Sequence, residues 1–99
     1  MIIRIVRMTF REDAVNDFLK LFESNKKAIR AFPGCLHLEL HRDVQNPAIF
    51  CTYSHWDNEE SLNAYRDSEL FGKVWPSTKM LFAAKPTAIS NECIDKIDV

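Results

Sequence analysis

From Cys35 to Arg42 the chain alternates without a break: Leu36, Leu38 and Leu40 fall on one parity, and Cys35, His37, Glu39 and His41 on the other. Strand side chains point to opposite faces with period two, so this segment reads as a strand with one apolar and one polar face. Such a strand belongs to an antiparallel sheet that is covered on one side. Just before it, Phe32-Pro33-Gly34 stops the preceding element, because proline removes a backbone donor and glycine admits positive φ.

The rest of the chain is organised around that strand. Residues 2–9 read as a first strand, with Ile2, Ile3, Ile5, Val6 and Met8, and Phe10 to Asp13 turn the chain. Val15, Phe18, Leu19, Phe22, Lys26 and Ile29 follow at helical spacing. Glu12 and Asp13 at the start, and Lys26, Lys27 and Arg30 at the end, complement the helix dipole. Asp43 to Pro47 is a turn into a further strand over 48–56. Asp57 or Asn58 caps the next helix, with Glu60 placed to close a capping box with Asp57, and Leu62 and Tyr65 form its buried side. Ser68 starts another helix, which Pro76 is expected to kink or break and which Met80 to Ala84 finish. Residues 86–94 are the last strand. The order β-α-β-β-α-β, with a split second helix, is an α+β, ferredoxin-like pattern: a four-stranded antiparallel sheet with its helices on one face.

Composition narrows the function classes. At 99 residues one domain, 1–99, fills the chain. Thirteen Lys and Arg against fourteen Asp and Glu leave a net charge of −1, so no nucleic acid partner is expected. No apolar run approaches the roughly 20 residues a membrane helix needs, and no membrane partner is expected. Arg4 and Arg7 interrupt the first apolar run, which argues against a signal peptide. Cys35, Cys51 and Cys93 are odd in number and lack metal-site spacing, which suits a cytoplasmic protein. Two tryptophans, two tyrosines and seven phenylalanines are many for so small a core. Some apolar surface should therefore serve a ligand or a second copy of the chain.

Nearly the whole chain resembles the antibiotic biosynthesis monooxygenase domain, a dimeric α+β barrel family. The likeness is carried by Phe32-Pro33-Gly34-Cys35-Leu36, by Leu38-Glu39-Leu40-His41-Arg42-Asp43, by Trp56 with Glu59-Glu60-Ser61-Leu62, and by Ser68-Glu69-Leu70-Phe71. It implies a homodimer. The family includes cofactor-free quinol and polyketide oxygenases, haem-degrading monooxygenases and an isomerase that processes a signalling molecule. Trp56 matches a tryptophan common at the end of the third strand. Tyr65 and Leu70 stand where quinol-type members often have histidines. Trp75 and Val6 stand where haem-degrading members have a histidine and an asparagine. Indole nitrogen is a donor only, and valine makes no hydrogen bond, so haem is not expected.

Pairing Arg42 with Ala48 across the turn puts Glu39 opposite Cys51 and His37 opposite Tyr53. One face then carries Leu36, Leu38, Leu40, Phe50, Thr52, Ser54 and Trp56. The other carries Cys35, His37, Glu39, His41, Ile49, Cys51, Tyr53 and His55. The first should lie under the helices, against Phe18, Phe22, Leu62, Tyr65, Phe71 and Trp75, either as filled core or as a ligand cleft. The hydroxyls of Thr52 and Ser54, the polar handles of Trp56 and Tyr65, and the helix interrupted near Gly72 and Pro76 favour a cleft. On the second face His37, Glu39 and His41 are possible metal ligands. Alternate residues lie about 6.5–7 Å apart along a strand, and a hydrogen-bonded seam between subunits is the expected use, with no metal.

The expected function is a cofactor-independent monooxygenase acting on a small aromatic or quinol-like molecule. Trp56 and Tyr65 would be catalytic, with Leu38, Thr52, Ser54, Phe71 and Trp75 binding substrate. The alternatives are a non-catalytic dimer that binds a small apolar metabolite, as in a stress response, and an isomerase using Glu39 and His37 as an acid–base pair.

Overall fold

The computed structural model describes residues 1–99. Backbone hydrogen bonds define strand β1 (Ile2–Thr9), one 3₁₀ turn (Glu12–Ala14), helix α1 (Val15–Arg30), strands β2 (Cys35–Arg42) and β3 (Ile49–Trp56), helices α2 (Glu59–Arg66) and α3 (Glu69–Lys79), and strand β4 (Thr87–Glu92). The sheet order is β2-β3-β1-β4, and all neighbours are antiparallel. This is the ferredoxin-like α+β arrangement, with the helices against one sheet face.

Helix α1 buries Phe18 and Ile29. It ends where the Ala31 N–H donates back to the Lys27 carbonyl at 3.0 Å and Phe32 to Ile29 at 3.1 Å. Gly34 then adopts φ +89°, and a Cβ there would overlap the side chains of Ser61 and Asp57. Its carbonyl accepts from the Asp57 N–H at 2.9 Å, so the tight turn and the start of α2 hold one another.

The β2–β3 register differs from the sequence expectation by two residues. Arg42 lies opposite Phe50, not Ala48, which precedes the strand; Glu39 lies opposite Tyr53 and His37 opposite His55. A slip of two preserves the face of every side chain, so both faces survive from Leu38 onward. They do not survive at the first turn of the strand. Cys35 pairs with Trp56 while His37 pairs with His55, leaving Leu36 as an extra residue in a bulge. Cys35 is therefore buried at 6% exposure beneath the helices, with Trp56 and Leu62, and Leu36 turns outward at 49%. This reverses the expected places of both residues.

The two expected helix caps form, but the capping box and the proline depart from expectation. Asn58 caps α2, its Oδ1 accepting from the Ser61 N–H at 2.9 Å. Three residues beyond that cap stands Ser61, so the Asp57–Glu60 box does not form. Ser68 caps α3 as expected, accepting from the Phe71 N–H at 3.1 Å. Helix α3 runs through Pro76 and ends at Lys79. Proline withholds only its own donor, and packing of this helix against α1 and the sheet holds the rest. Met80 to Ala84 leave the helix. Phe82 bridges Phe10, the Arg11 N–H donates to the Leu81 carbonyl at 3.0 Å, and that of Ala83 to Thr9 at 2.8 Å. The segment is thereby tied across the end of β1. Strand β4 is shorter than expected, and each of its residues is exposed.

The core falls into two clusters. Met8, Phe10, Phe18 and Phe50 form one, with Phe10 stacked on Phe18 at 4.1 Å between ring centroids. Cys35, Trp56 and Leu62 form the other. Burial of each large side chain is worth about 1.5–3 kcal/mol, so the two clusters fix the helices at opposite ends of the sheet. A cavity lies between them.

Candidate functional site

Even-numbered residues of β1 and β3, and those of β2 from Leu38 onward, face the helices in rows: Ile2 beside Trp56, Arg4 beside Ser54 and Leu38, Val6 beside Thr52 and Leu40, and Met8 beside Phe50. Between these rows and the helices is a cavity of about 570 Å³, lined on the helix side by residues that include Leu62, Tyr65, Phe71 and Trp75. Its volume suits a molecule of two or three rings.

Trp56 anchors one end. It is 1% exposed, and its Nε1–H donates to Ser54 Oγ at 3.0 Å. Residues two apart share a strand face, so this bond is a direct product of the strand's period. The Tyr65 ring stacks on the indole at 5.0 Å, with Phe32 and Phe71 meeting its edges at 5.4 and 5.3 Å. From Phe71 the wall continues to Trp75, stacked at 5.7 Å, and on to Phe82.

Burial, and then the nearby Cys35 sulfur, push the Tyr65 phenol up to about 12. It is neutral at physiological pH, able to donate a hydrogen bond and not to remove a proton. Burial likewise raises the Cys35 thiol, whose Sγ contacts the His37 carbonyl at 3.7 Å, so it packs as an inert side chain.

The structure thus brings together Trp56, Tyr65, Leu38, Thr52, Ser54, Phe71 and Trp75 around one cavity. It does not bring His37 or Glu39 there. Both lie on the opposite sheet face and remain more than 40% exposed as side chains. The Glu39 carboxylate spans two imidazoles, with Oε1 at 2.6 Å from His41 Nε2 and Oε2 bonded to His37 Nε2. Those bonds, that of His41 first, hold Glu39 below the usual carboxylate range. The His55 ring lies 4.9 Å from that of His37 and 5.0 Å from that of Tyr53. Its Nε2 is buried without a hydrogen-bond partner. Burial, followed by the charge of His37, lowers its pKa. No three His, Cys, Asp or Glu side chains are arranged to hold a metal ion.

Four charged or amide-bearing residues of the cavity wall escaped the sequence reading: Arg4, Asn63, Arg66 and Asp67. Arg4 carried a signal, since it shares the parity of Ile2, Val6 and Met8 and so stands on the covered face. The other three occupy the last turn and C-cap of α2, where polarity is ordinary. No histidine lines the cavity, and Trp75 and Val6 both do, so these residues do not fit a haem held through imidazole.

Residues 1–75 match the family model described as antibiotic biosynthesis monooxygenase. Among curated proteins none matches the sequence significantly. The fold is similar to a solved antibiotic biosynthesis monooxygenase, with TM-score 0.90 and 20% identity over 96% of this chain and 100% of that one. It is also similar to a conserved protein from Methanosarcina mazei Go1, with TM-score 0.86 and 21% identity over 92% of this chain and 91% of that one. A third likeness is to Rv0793 from Mycobacterium tuberculosis, with TM-score 0.89 and 16% identity over 98% of each chain. At these identities the likenesses speak to the fold.

Proposed function

This chain belongs to the antibiotic biosynthesis monooxygenase family, and from that premise we propose that it is a cofactor-independent monooxygenase of a small aromatic or quinol-like substrate, acting as a homodimer. The observation that carries this reading is the cavity of about 570 Å³ walled by Trp56, Tyr65, Phe71 and Trp75.

In such a reaction the substrate supplies the electrons. For an anthrone, the methylene between the rings loses a proton to solvent water to give an electron-rich anion. A carbon–oxygen bond then forms with O₂, and protonation gives a hydroperoxide. Its O–O bond breaks as water leaves with the second methylene hydrogen, and the carbon becomes a carbonyl. One oxygen atom stays in the product and the other leaves as water. The protein would exclude water, stack the rings and donate hydrogen bonds to the developing charge. Trp56 and Tyr65 would be catalytic, with the Tyr65 phenol as donor. Leu38, Thr52, Ser54, Phe71 and Trp75 would hold the substrate.

The second sheet face supports the homodimer. Helices cover one face only, and the other carries Ile3, Ile5, Tyr53 and Ile89, along with the unpartnered His55 Nε2. A second copy would cover the isoleucines and Tyr53 and complete the seam of His37, Glu39 and His41.

A second reading is a non-catalytic dimer that binds a small apolar metabolite. It is favoured by the protonated Tyr65, which leaves the aromatic wall without a base. Oxidation of a panel of anthrones, hydroquinones and catechols under ¹⁸O₂ separates the two. One labelled oxygen in the product supports the oxygenase. Binding without O₂ uptake across the panel overturns it in favour of the binding dimer.

A further inference from the structure

The cavity holds an electrostatic feature that neither the aromatic wall nor the family assignment accounts for. Arg4 and Arg66 both line it. Neither takes part in any of the five ion pairs of the structure. The one side-chain hydrogen bond of Arg4 goes to a neutral group, Ser90 Oγ, at 3.0 Å. Asp67 also lines the cavity but pairs with neither guanidinium. Burial, and next the charge of Arg66, lower the pKa of Arg4, so the two cations are close enough to repel one another.

Arg4 is half-buried and Arg66 exposed, so the two like charges, without a carboxylate partner, sit where the cavity opens to solvent and make that end of it electropositive. An anion between them offsets that charge, and guanidinium forks suit the oxygens of carboxylates and phenolates. The neighbouring Asn63 adds a neutral amide to the same part of the wall. Arg4 stands in the row of Ser54, next to Trp56 and Thr52, so a ring stacked on the aromatic wall can reach it with a substituent.

We infer that the cavity takes its ligand as an anion: an aromatic molecule with a carboxylate or phenolate oxygen held by Arg4 and Arg66. The inference deepens the proposed function and rests on its choice of cavity. It also supplies what that reading lacks. With Tyr65 protonated, two guanidinium groups would favour the ionised form of the substrate without a side-chain base.

The test is calorimetric titration of the whole protein near pH 7 with 2-naphthoate, a permanent anion there, and with the neutral isostere 2-naphthamide. Naphthoate is expected to bind roughly tenfold or more tightly than the amide, with the difference shrinking at high salt. Arg4→Met and Arg66→Met should each remove most of that preference, weakening naphthoate binding far more than amide binding. Arg7→Met, on the other sheet face, should change neither. Titration with 2-naphthol from pH 7 to pH 10 reports the phenolate source, whose affinity should rise as the ligand ionises. Equal binding of naphthoate and naphthamide, or a preference that survives both arginine variants, overturns the inference and leaves the cavity reading standing. Failure of both ligands to bind overturns the two together.

Discussion

The Tyr65 ring lies stacked on the Trp56 indole, with 5.0 Å between centroids and 26° between planes. One partner is fixed by its own strand and the other is brought by α2, so the stack joins sheet to helix at the end of the cavity. The Tyr65 phenol pays for this place in acidity, being pushed up to about 12 by burial. The chain has two tyrosines, so Tyr53→Phe leaves Tyr65 alone. Its phenolate absorbance should then titrate near pH 12. Burial favours the neutral phenol, so the contribution is present below the unfolded value of about 10 and is lost as pH rises towards the folded one. Denaturation midpoints of that variant should fall over this window, and those of Tyr65→Phe should fall less.

Ser54 holds the Trp56 indole at 3.0 Å, and both residues are buried. Ser54→Ala strands a buried donor and should cost about 1–3 kcal/mol in chemical denaturation. Combined with Trp56→Phe, the loss should be less than the sum of the single losses, since either change breaks the same bond.

The two glycines should respond in opposite directions. Gly34 has φ +89°, and an added Cβ there meets Ser61 and Asp57, whereas one at Gly72 meets nothing within 4 Å. Gly34→Ala should destabilise by more than about 1 kcal/mol. Gly72→Ala, in the interior of α3, should stabilise by about 0.5–1 kcal/mol. Thermal or urea unfolding of the two variants measures both.

If the second sheet face meets a second copy, a charge at its centre should separate the copies. Ile5 lies between Tyr53 and Ile89 on that face. Ile5→Asp should shift the protein from dimer to monomer in sedimentation while its far-UV circular dichroism is kept. A wild-type protein that sediments as a monomer at high concentration contradicts the homodimer.

The period of the strands was the most legible part of the sequence. Parity alone assigned Leu38, Leu40, Thr52, Ser54 and Trp56 to the helix side, and it survived a register off by two because faces repeat every two residues. The bulge at Leu36 was hidden because a leucine there continues the alternation, and only the pairing of Cys35 with Trp56 reveals the extra residue. Pro76 suggested a break because local propensity says so, yet packing carries α3 past it. For the site, aromatic content marked the cavity wall, but its charge was less visible. Arg4 announces its covered face only when read by parity, and Arg66 reaches the same space through α2, a relation that no local pattern encodes. His37 and Glu39 show the converse. Their spacing suggests chemistry, and the sheet then puts them on the far side from the cavity.

The central claim is that chemistry belongs to the cavity beneath the helices and not to the histidine face. O₂ uptake on an anthrone or hydroquinone substrate, compared among the wild type, Trp56→Phe, Tyr65→Phe and Glu39→Gln, tests it most directly. The account expects turnover to fall roughly tenfold or more in the two cavity variants, a loss of about 1.4 kcal/mol of transition-state stabilisation or more, and to be unchanged in Glu39→Gln. Turnover that survives both cavity substitutions and is lost in Glu39→Gln would contradict it.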